Sequence, residues 1–345
     1  MVLNFSFEKR LFMQSHYKFF FSLTFIVAIV SFFSQSKAGN EDEKMRTQIK
    51  NSHIRSISRS EHIFKFGSPE KRGIKKESVT YDTEGRRVEW KIFTPDARIE
   101  AIYKYKYDSL GNKIEETRLR GDNSIDTKTI FTYDERGKEI QSVTYITDGS
   151  IASKTTTLYT TEGFPGEWVN YNADGTINNR KTFANDNNGK KIEEIEFSSE
   201  PVSTRRKTKA GEPTATKKTF AYDGNGNILE EVLYSTAGSI LSKITFGYDT
   251  NMRLLEMNES QPERKGVGKK LITGSAANAK KTYAYDTNGN LAEELVFNPD
   301  GSLNAKTVFR YDANGNKTDE IYFNILLNEP DSQMKYVYVY YQQNP

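Results

Sequence analysis

The sequence predicts an all-β protein: a long antiparallel meander of about nine two-strand repeats, curled into an open shell or a twisted strip. Three observations carry that expectation. A Tyr-Asp-x-x-Gly signature returns at a fixed period. Apolar residues alternate with period two between its copies, and Gly, Asp and Pro gather where turns belong.

The signature is anchored at Tyr81, Tyr107, Tyr133, Tyr159, Asn185, Tyr222, Tyr248, Tyr285 and Tyr311, with successive spacings of 26, 26, 26, 26, 37, 26, 37 and 26 residues. This is one 26-residue module in nine copies, two of them carrying 11 extra residues. The first strand of a copy reads like Lys306–Tyr311, with Thr307, Phe309 and Tyr311 sharing a face. The turn Asp312–Gly315 follows. Asp opens a type I turn and Gly supplies the positive φ that closes it with a bulge. Gly holds this place in eight of the nine copies, Met252 being the exception. The second strand reads like Ile228–Tyr234, with Val232 and Tyr234 expected on one face. A second turn follows, as in Asp148-Gly149, Asp174-Gly175 and Asp300-Gly301. Pro95, Pro201, Pro213, Pro262, Pro299 and Pro330 all lie around it, where no ladder N–H is lost.

The repeated Tyr-Asp-x-x-Gly resembles the YD-repeat, or RHS-repeat, proteins of bacterial surfaces and toxin shells. The resemblance covers roughly residues 76–340 and rests on eight Tyr, eight Asp and eight Gly at matching positions. It implies strands winding into a curved or spiral β-shell. The module here is longer than the usual family unit, with Asn or Lys where an Arg commonly follows the Gly.

Ahead of the repeats, residues 19–33 form the one long apolar run, too short at 15 residues for a spanning helix of ~20. Lys18 precedes it, and Ser36 and Ala38 fit a cleavage site before Gly39, so residues 1–38 read as a signal peptide starting at Met1 or Met13. An N-terminal anchor is the alternative. Export to the periplasm, cell surface or medium follows. With no Cys, disulfides cannot stabilise the exported chain. Residues 39–75 read as a charged N-terminal segment and 76–345 as the repeat domain. Residues 1–38 hold four cations against Glu8, so the other 307 residues carry 45 basic against 45 acidic groups. A neutral body argues against a chain built as a whole to coat nucleic acid or a membrane surface.

The stripe Phe131/Tyr133, Phe220/Tyr222, Phe246/Tyr248, Tyr283/Tyr285 and Phe309/Tyr311, joined by Tyr145, Tyr171, Phe197, Tyr234, Phe297 and Phe323 from second strands, reads as one core face. An acid eight residues after the anchor, as at Glu115, Glu193, Glu230, Glu256 and Glu293, is expected on that same face. A cation five before the anchor, as at Lys128, Lys217, Lys243 and Lys306, is expected opposite it, diagonal to the Glu nine after. Trp90 and Trp168 take that last position and are expected on the outer face near Lys76 and Lys154. There they would either anchor a partner or pack beneath the N-terminal segment.

The two enlarged second turns are the clearest charge feature. Residues 198–218 and 258–281 each hold six cations against two acids, net +4. Arg205, Arg206, Lys207 and Lys209 lie in the first; Arg264, Lys265, Lys269 and Lys270 lie in the second. Both should leave one edge of the sheet and meet an acidic glycan, glycolipid or protein, or else be solvated tips. The Asp-x-Asn-Gly-Asn turns place Gly fourth, which fits a turn and not an EF-hand, so no metal is expected. No nucleophile elbow or phosphate loop occurs, and His53 and His62 are the two histidines after residue 38. The sequence therefore points to an exported, non-enzymatic binding scaffold without cofactor. Its alternative is a structural shell, or a remnant of a toxin-delivery protein, without its own ligand.

Overall fold

Every Tyr-Asp-x-x-Gly copy in the computed structural model is a strand–turn–strand corner built the same way. The structure describes residues 35–198, 214–261 and 279–342. Helix α1 (Gln35–Asn51) precedes β1 (Ile54–Lys65) and the two-residue β2 (Ser68–Pro69). The repeats supply β3 (Ile74–Tyr81), β4 (Arg87–Phe93), β5 (Ile99–Tyr107), β6 (Lys113–Arg120), β7 (Ile125–Tyr133), β8 (Glu139–Ile146), β9 (Ile151–Tyr159) and β10 (Pro165–Asn172). They continue through β11 (Ile177–Asn185), β12 (Lys191–Ser198), β13 (Thr214–Tyr222), β14 (Ile228–Tyr234), β15 (Ile240–Tyr248) and β16 (Leu254–Ser260). The last five are β17 (Ala279–Tyr285), β18 (Leu291–Phe297), β19 (Leu303–Tyr311), β20 (Lys317–Asn324) and β21 (Glu329–Tyr340).

From β3 to β21 each strand pairs antiparallel with the next, and β1 then joins the two ends. Ser58 of β1 lies opposite Ser78 of β3 on one side and Val337 of β21 on the other. The result is a closed antiparallel barrel of 20 strands, with β2 as one extra strand. The expected open shell or twisted strip is therefore incorrect. The strand that closes the sheet comes from 39–75, which carries no Tyr-Asp signature and reads as a charged segment. An open meander leaves two rows of unpaired N–H and C=O groups, and β1 satisfies both.

The corner geometry explains the signature residue by residue. In the copy anchored at Tyr222, Asp223 Oδ1 accepts the N–H groups of Asn225 and Asn227 at 2.9 and 2.8 Å. Its Oδ2 accepts the Asn227 side-chain amide at 3.0 Å. Gly226 then takes φ +87°. Register slips at the corner: Tyr222 pairs with Ile228 but Ala221 pairs with Glu230, so Leu229 is a bulge residue with no partner across the ladder. The anchor hydroxyl reaches back to the adjacent strand. Tyr248 donates to the Ile228 carbonyl at 2.9 Å, Tyr311 to Leu291 at 2.9 Å and Tyr133 to Lys113 at 2.7 Å, each carbonyl opening the second strand of the preceding copy. The Asn185 amide does the same to Pro165 at 3.0 Å, which accounts for Asn replacing Tyr there.

Two expected results follow from these corners. Met252 holds the glycine place at φ +63°. Met252→Gly should gain about 1 kcal/mol in chemical denaturation, and Gly226→Val should lose about 1 kcal/mol or more. Burial pushes the hydroxyls of Tyr133, Tyr222, Tyr248 and Tyr311 up to about 12 from an ordinary 10.0. A raised folded value means that this stability is complete below pH about 10 and drains away as pH rises through about 12. An alkaline titration followed by far-UV circular dichroism should show unfolding in that window. Anchor Tyr→Phe variants should lose the window's steepness.

The bulge also inverts the expected faces. Glu320, nine after its anchor, pairs with Phe309 and lies on the aromatic face, whereas Asp319, eight after, pairs with Arg310 on the other. The acid eight after the anchor is thus opposite the aromatics and binds the cation five before the next anchor. Examples are Lys128–Glu115 at 2.9 Å, Lys243–Glu230 at 2.6 Å and Lys306–Glu293 at 2.9 Å. Tyr145, Tyr234 and Phe297 lie directly across from Lys128, Lys217 and Lys280, so the second-strand aromatics are on this charged face and not with the stripe. The sequence expectation failed because the residue added at each corner exchanges odd for even between the two strands.

The stripe face is the inner one. Pairing runs from Ala284 through Glu293 to Val308, two residues lower in the next repeat. With the right-handed strand tilt of closed sheets, that descent turns Tyr285, Phe309 and Tyr311 toward the axis. Occlusion agrees in the later copies, where inner Glu194, Glu231, Glu294 and Glu320 are 7–20% exposed and outer Glu193, Glu230, Glu256 and Glu293 31–42%; the order reverses at Glu115 and Glu116, 16% and 30%. Twenty strands at ~4.8 Å spacing and ~40° tilt give a wall about 35–40 Å across and, at 7–9 residues per repeat strand, about 20 Å tall. Among the described residues no second layer covers it. The stripe is therefore half-buried lining and not a continuous core. Buried clusters form only locally among the described residues, around Ile49, Ile54, Val79 and Tyr81 and around Ile228, Phe246 and Met257.

Candidate functional site

Hairpin polarity sorts the barrel into two rims. The Asp-x-x-Gly corners occupy one, where Ile49 of α1 packs on Tyr81 and Val79 and Gln48 Nε2 donates to Asn316 Oδ1 at 3.3 Å. The second turns, from Thr94–Ala97 to Asn298–Gly301, occupy the other. Strands β12 and β13 are joined at this second rim, and so are β16 and β17. Both basic segments therefore depart from the same rim, four strands apart. Arg205, Arg206, Lys207, Lys209, Arg264, Lys265, Lys269 and Lys270 themselves lie outside the described residues.

The flanking strands change the charge count. Lys217 binds Glu193 at 3.1 Å and Lys218 binds Glu231 at 2.9 Å. Lys280 binds Glu256 at 2.9 Å and Lys281 binds Glu294 at 3.7 Å. Four of the twelve cations thus belong to the wall. Between the strands, residues 199–213 hold four cations against Glu200 and Glu212, and residues 262–278 hold four against Glu263. Their excess is +2 and +3, smaller than the +4 read from the wider windows.

Trp90 and Trp168 are on the inner face and not, as the sequence suggested, the outer one. Trp90 Nε1 donates to Glu77 at 3.1 Å, and its ring stacks on Tyr103 with centroids 5.0 Å apart. It packs against the cluster that α1 and β1 complete, so it lies beneath the N-terminal segment. Trp168 sits across from Thr157 and Lys181, again in the wall lining. The structure therefore does not bring the tryptophans to the rim of the basic segments.

The lining is polar as well as aromatic. Glu194 holds Lys191 at 2.5 Å and Lys181 at 3.3 Å. Burial alone would raise the Glu194 carboxyl, but the two ammonium groups outweigh it and hold it below the ordinary carboxylate value. Glu320 is held down in the same sense by Lys317, and accepts hydroxyls from Tyr322 at 2.8 Å and Tyr336 at 2.7 Å. Lys113, Lys191 and Lys317 each stand 4.3–4.9 Å over a stripe Phe ring. His62 bonds Ser60 Oγ at 3.0 Å and the Glu70 carbonyl at 2.7 Å, a hairpin-fixing role.

Both faces of the wall thus carry mid-strand ion pairs: Lys181–Glu194 inside, Lys243–Glu230 outside. A charge on a lipid-facing strand costs about 2–4 kcal/mol at mid-membrane, and the wall is also shorter than the ~25 Å apolar band of membrane barrels. On this physical ground the outer ion pairs fit a wall in contact with water better than one in contact with lipid. Among the described residues no helix is long and apolar enough to cross a membrane.

No family model matches the chain, and no curated protein matches it. Solved structures do. A Tc holotoxin pore of Photorhabdus luminescens matches with 12% identity and a TM-score of 0.30, over 77% of this chain and 17% of that one. A porin-like protein from Bacteroides uniformis matches with 10% identity and a TM-score of 0.35, over 84% and 97% of the two chains. A porin-like protein from Bacteroides vulgatus matches with 10% identity and a TM-score of 0.28, over 85% and 100%. The chain spans about a sixth of the toxin chain's length. Likenesses at these scores carry no argument about what this barrel does.

Proposed function

We propose that the protein is an exported, water-immersed β-barrel scaffold that binds an acidic partner at the rim carrying its two basic segments, without catalysis or cofactor. The observation that supports this is the delivery of both segments to one rim by β12/β13 and β16/β17. The wall's charges compensate one another: outer cations meet outer acids and inner cations meet inner acids. The inter-strand segments hold eight cations against three acids. Acidic envelope glycan, glycolipid and protein share the chemistry this rim would recognise, and the neutral wall argues against nucleic acid. The site of action is the periplasm, the cell surface or the medium.

A capture experiment from the native envelope tests this reading. The parent is compared with a variant in which Arg205, Arg206, Lys207, Lys209, Arg264, Lys265, Lys269 and Lys270 are all Ser. A partner held by the parent, released by salt and missed by the variant is the expected result. Identical captures would contradict it. The closed lumen favours a second reading, a shell without its own ligand, which equal or empty captures would support.

A further inference from the structure

The lining of the barrel changes character between β8 and β10. In five copies the inner place nine after the anchor is Glu116, Glu194, Glu231, Glu294 or Glu320, and each of these carboxylates holds a lysine ammonium. In the copies anchored at Tyr133 and Tyr159 the same place is Ser142 and Trp168. Pairing sets Ser142 opposite Phe131 and Thr155, Trp168 opposite Thr157 and Lys181, and Asn170 opposite Thr155 and Asn179, all on the inner face. Of the charged residues in β8, β9 and β10, Lys154 and Glu167 lie on the outer face and only Glu139, at the corner, on the inner.

Thr and Ser suit strands, so the hydroxyls of this sector follow from the fold. Its Asn and Trp residues do not. Asn is depleted from strands, yet Asn170 and Asn179 face each other within β10 and β11. Trp90, the equivalent tryptophan of the first copy, has its indole N–H bound to Glu77 and its ring stacked on Tyr103. Trp168 has neither: among the described residues its N–H meets no acceptor and no ring stacks on it. Asn170 Oδ1 accepts from Asn178 at 3.0 Å, while the Asn170 amide N–H groups donate to no described residue. Two donors without a protein acceptor thus stand two residues apart on one strand, ~6.6 Å, beside a half-buried indole.

A ligand for this patch must bring acceptors for the two donors, an apolar C–H face for the indole, and no net charge. A neutral sugar chain supplies all three. A charged ligand would be desolvated against a lining without a free countercharge, since Lys181 is already held by Glu194 and Glu196. An extended peptide would need an unpaired strand edge, and the closed wall offers none. From β8 to β11 the patch is roughly 15 Å wide at ~4.8 Å per strand, room for a short oligosaccharide. We propose that the inner wall of β8–β11 binds a neutral oligosaccharide, with Trp168 stacked on a sugar ring and the indole N–H and Asn170 donating to its oxygens. The site is separate from the basic segments, so it and the acidic-partner reading can fail independently.

The test is calorimetric titration of the full-length protein with maltohexaose, cellohexaose and mannohexaose. At least one should bind the parent, and Trp168→Ala should bind it at least tenfold more weakly. Asn170→Leu places a better strand former of similar size, so it should keep or raise the parent's urea midpoint while weakening binding at least tenfold, a combination that loss of fold would not give. Trp90→Phe leaves Trp168 as the only tryptophan, and its fluorescence should shift to the blue when the sugar is added. Hexagalacturonate should not displace the bound sugar, whether or not it also binds at the basic rim. Binding of none of the three sugars, equal binding by Trp168→Ala, no blue shift, or displacement by hexagalacturonate would overturn the inference.

Discussion

Ser58→Pro should cost about 3 kcal/mol or more and expose the sheet's two edges. Ser58 sits in β1 between Ser78 and Val337, so proline removes a ladder hydrogen bond and places its ring between two packed neighbours. Every other ladder in the barrel joins strands close in sequence. The β1–β21 ladder alone joins the two ends of the chain, so its loss converts a closed sheet into a strip with two templates for aggregation. Thr236→Pro is the control. Thr236 lies second in the turn Ser235–Gly238, where proline is favoured, and should change stability by less than about 1 kcal/mol. Urea denaturation and light scattering on both variants check the pair; a midpoint for Ser58→Pro equal to that of the parent would contradict the role given to β1.

The second large effect separates the two faces. Glu194→Ala leaves Lys191, 17% exposed, without its carboxylate, while Lys181 keeps Glu196 at 3.5 Å. An uncompensated buried charge should cost about 3 kcal/mol or more. Glu256→Ala removes an outer carboxylate that is 42% exposed and pairs with Lys280, which is 47% exposed, so it should cost about 0–1 kcal/mol. Glu194→Gln should recover part of the loss. Because the Glu194 carboxyl is held below its ordinary value, its contribution is present above pH about 4.3 and fades as pH falls below that. Equal losses for Glu194→Ala and Glu256→Ala would contradict the inner and outer assignment.

Much of the local structure was legible because the turn chemistry is written into single residues. Asp223, Gly226 and their equivalents specify the corner, and their 26-residue return specifies the repeat. What was not legible follows from two small geometric facts. The bulge residue at each corner, Leu229 for example, looks like any other strand residue, yet it moves Glu230 and Glu231 to the faces opposite those expected. Closure was hidden because Ile54–Lys65 alternates Ile with Ser and Arg and lacks the anchor, so nothing in its composition marks it as the strand between first and last repeats. The basic segments were legible as charge, but Lys217, Lys218, Lys280 and Lys281 were counted with them and belong to the wall.

Closure by β1 is the claim on which the lumen and the two rims both depend. The chain has no cysteine, so Ser58→Cys with Val337→Cys introduces the only two thiols. Treated at low protein concentration with a short bismaleimide, the folded double variant should yield a monomer whose 58- and 337-containing peptides are covalently joined. The two residues face each other across β1 and β21, within about 6 Å. In an open strip of the same strands they would stand on the order of 90 Å apart. A folded monomer that forms no such link would contradict the closed barrel.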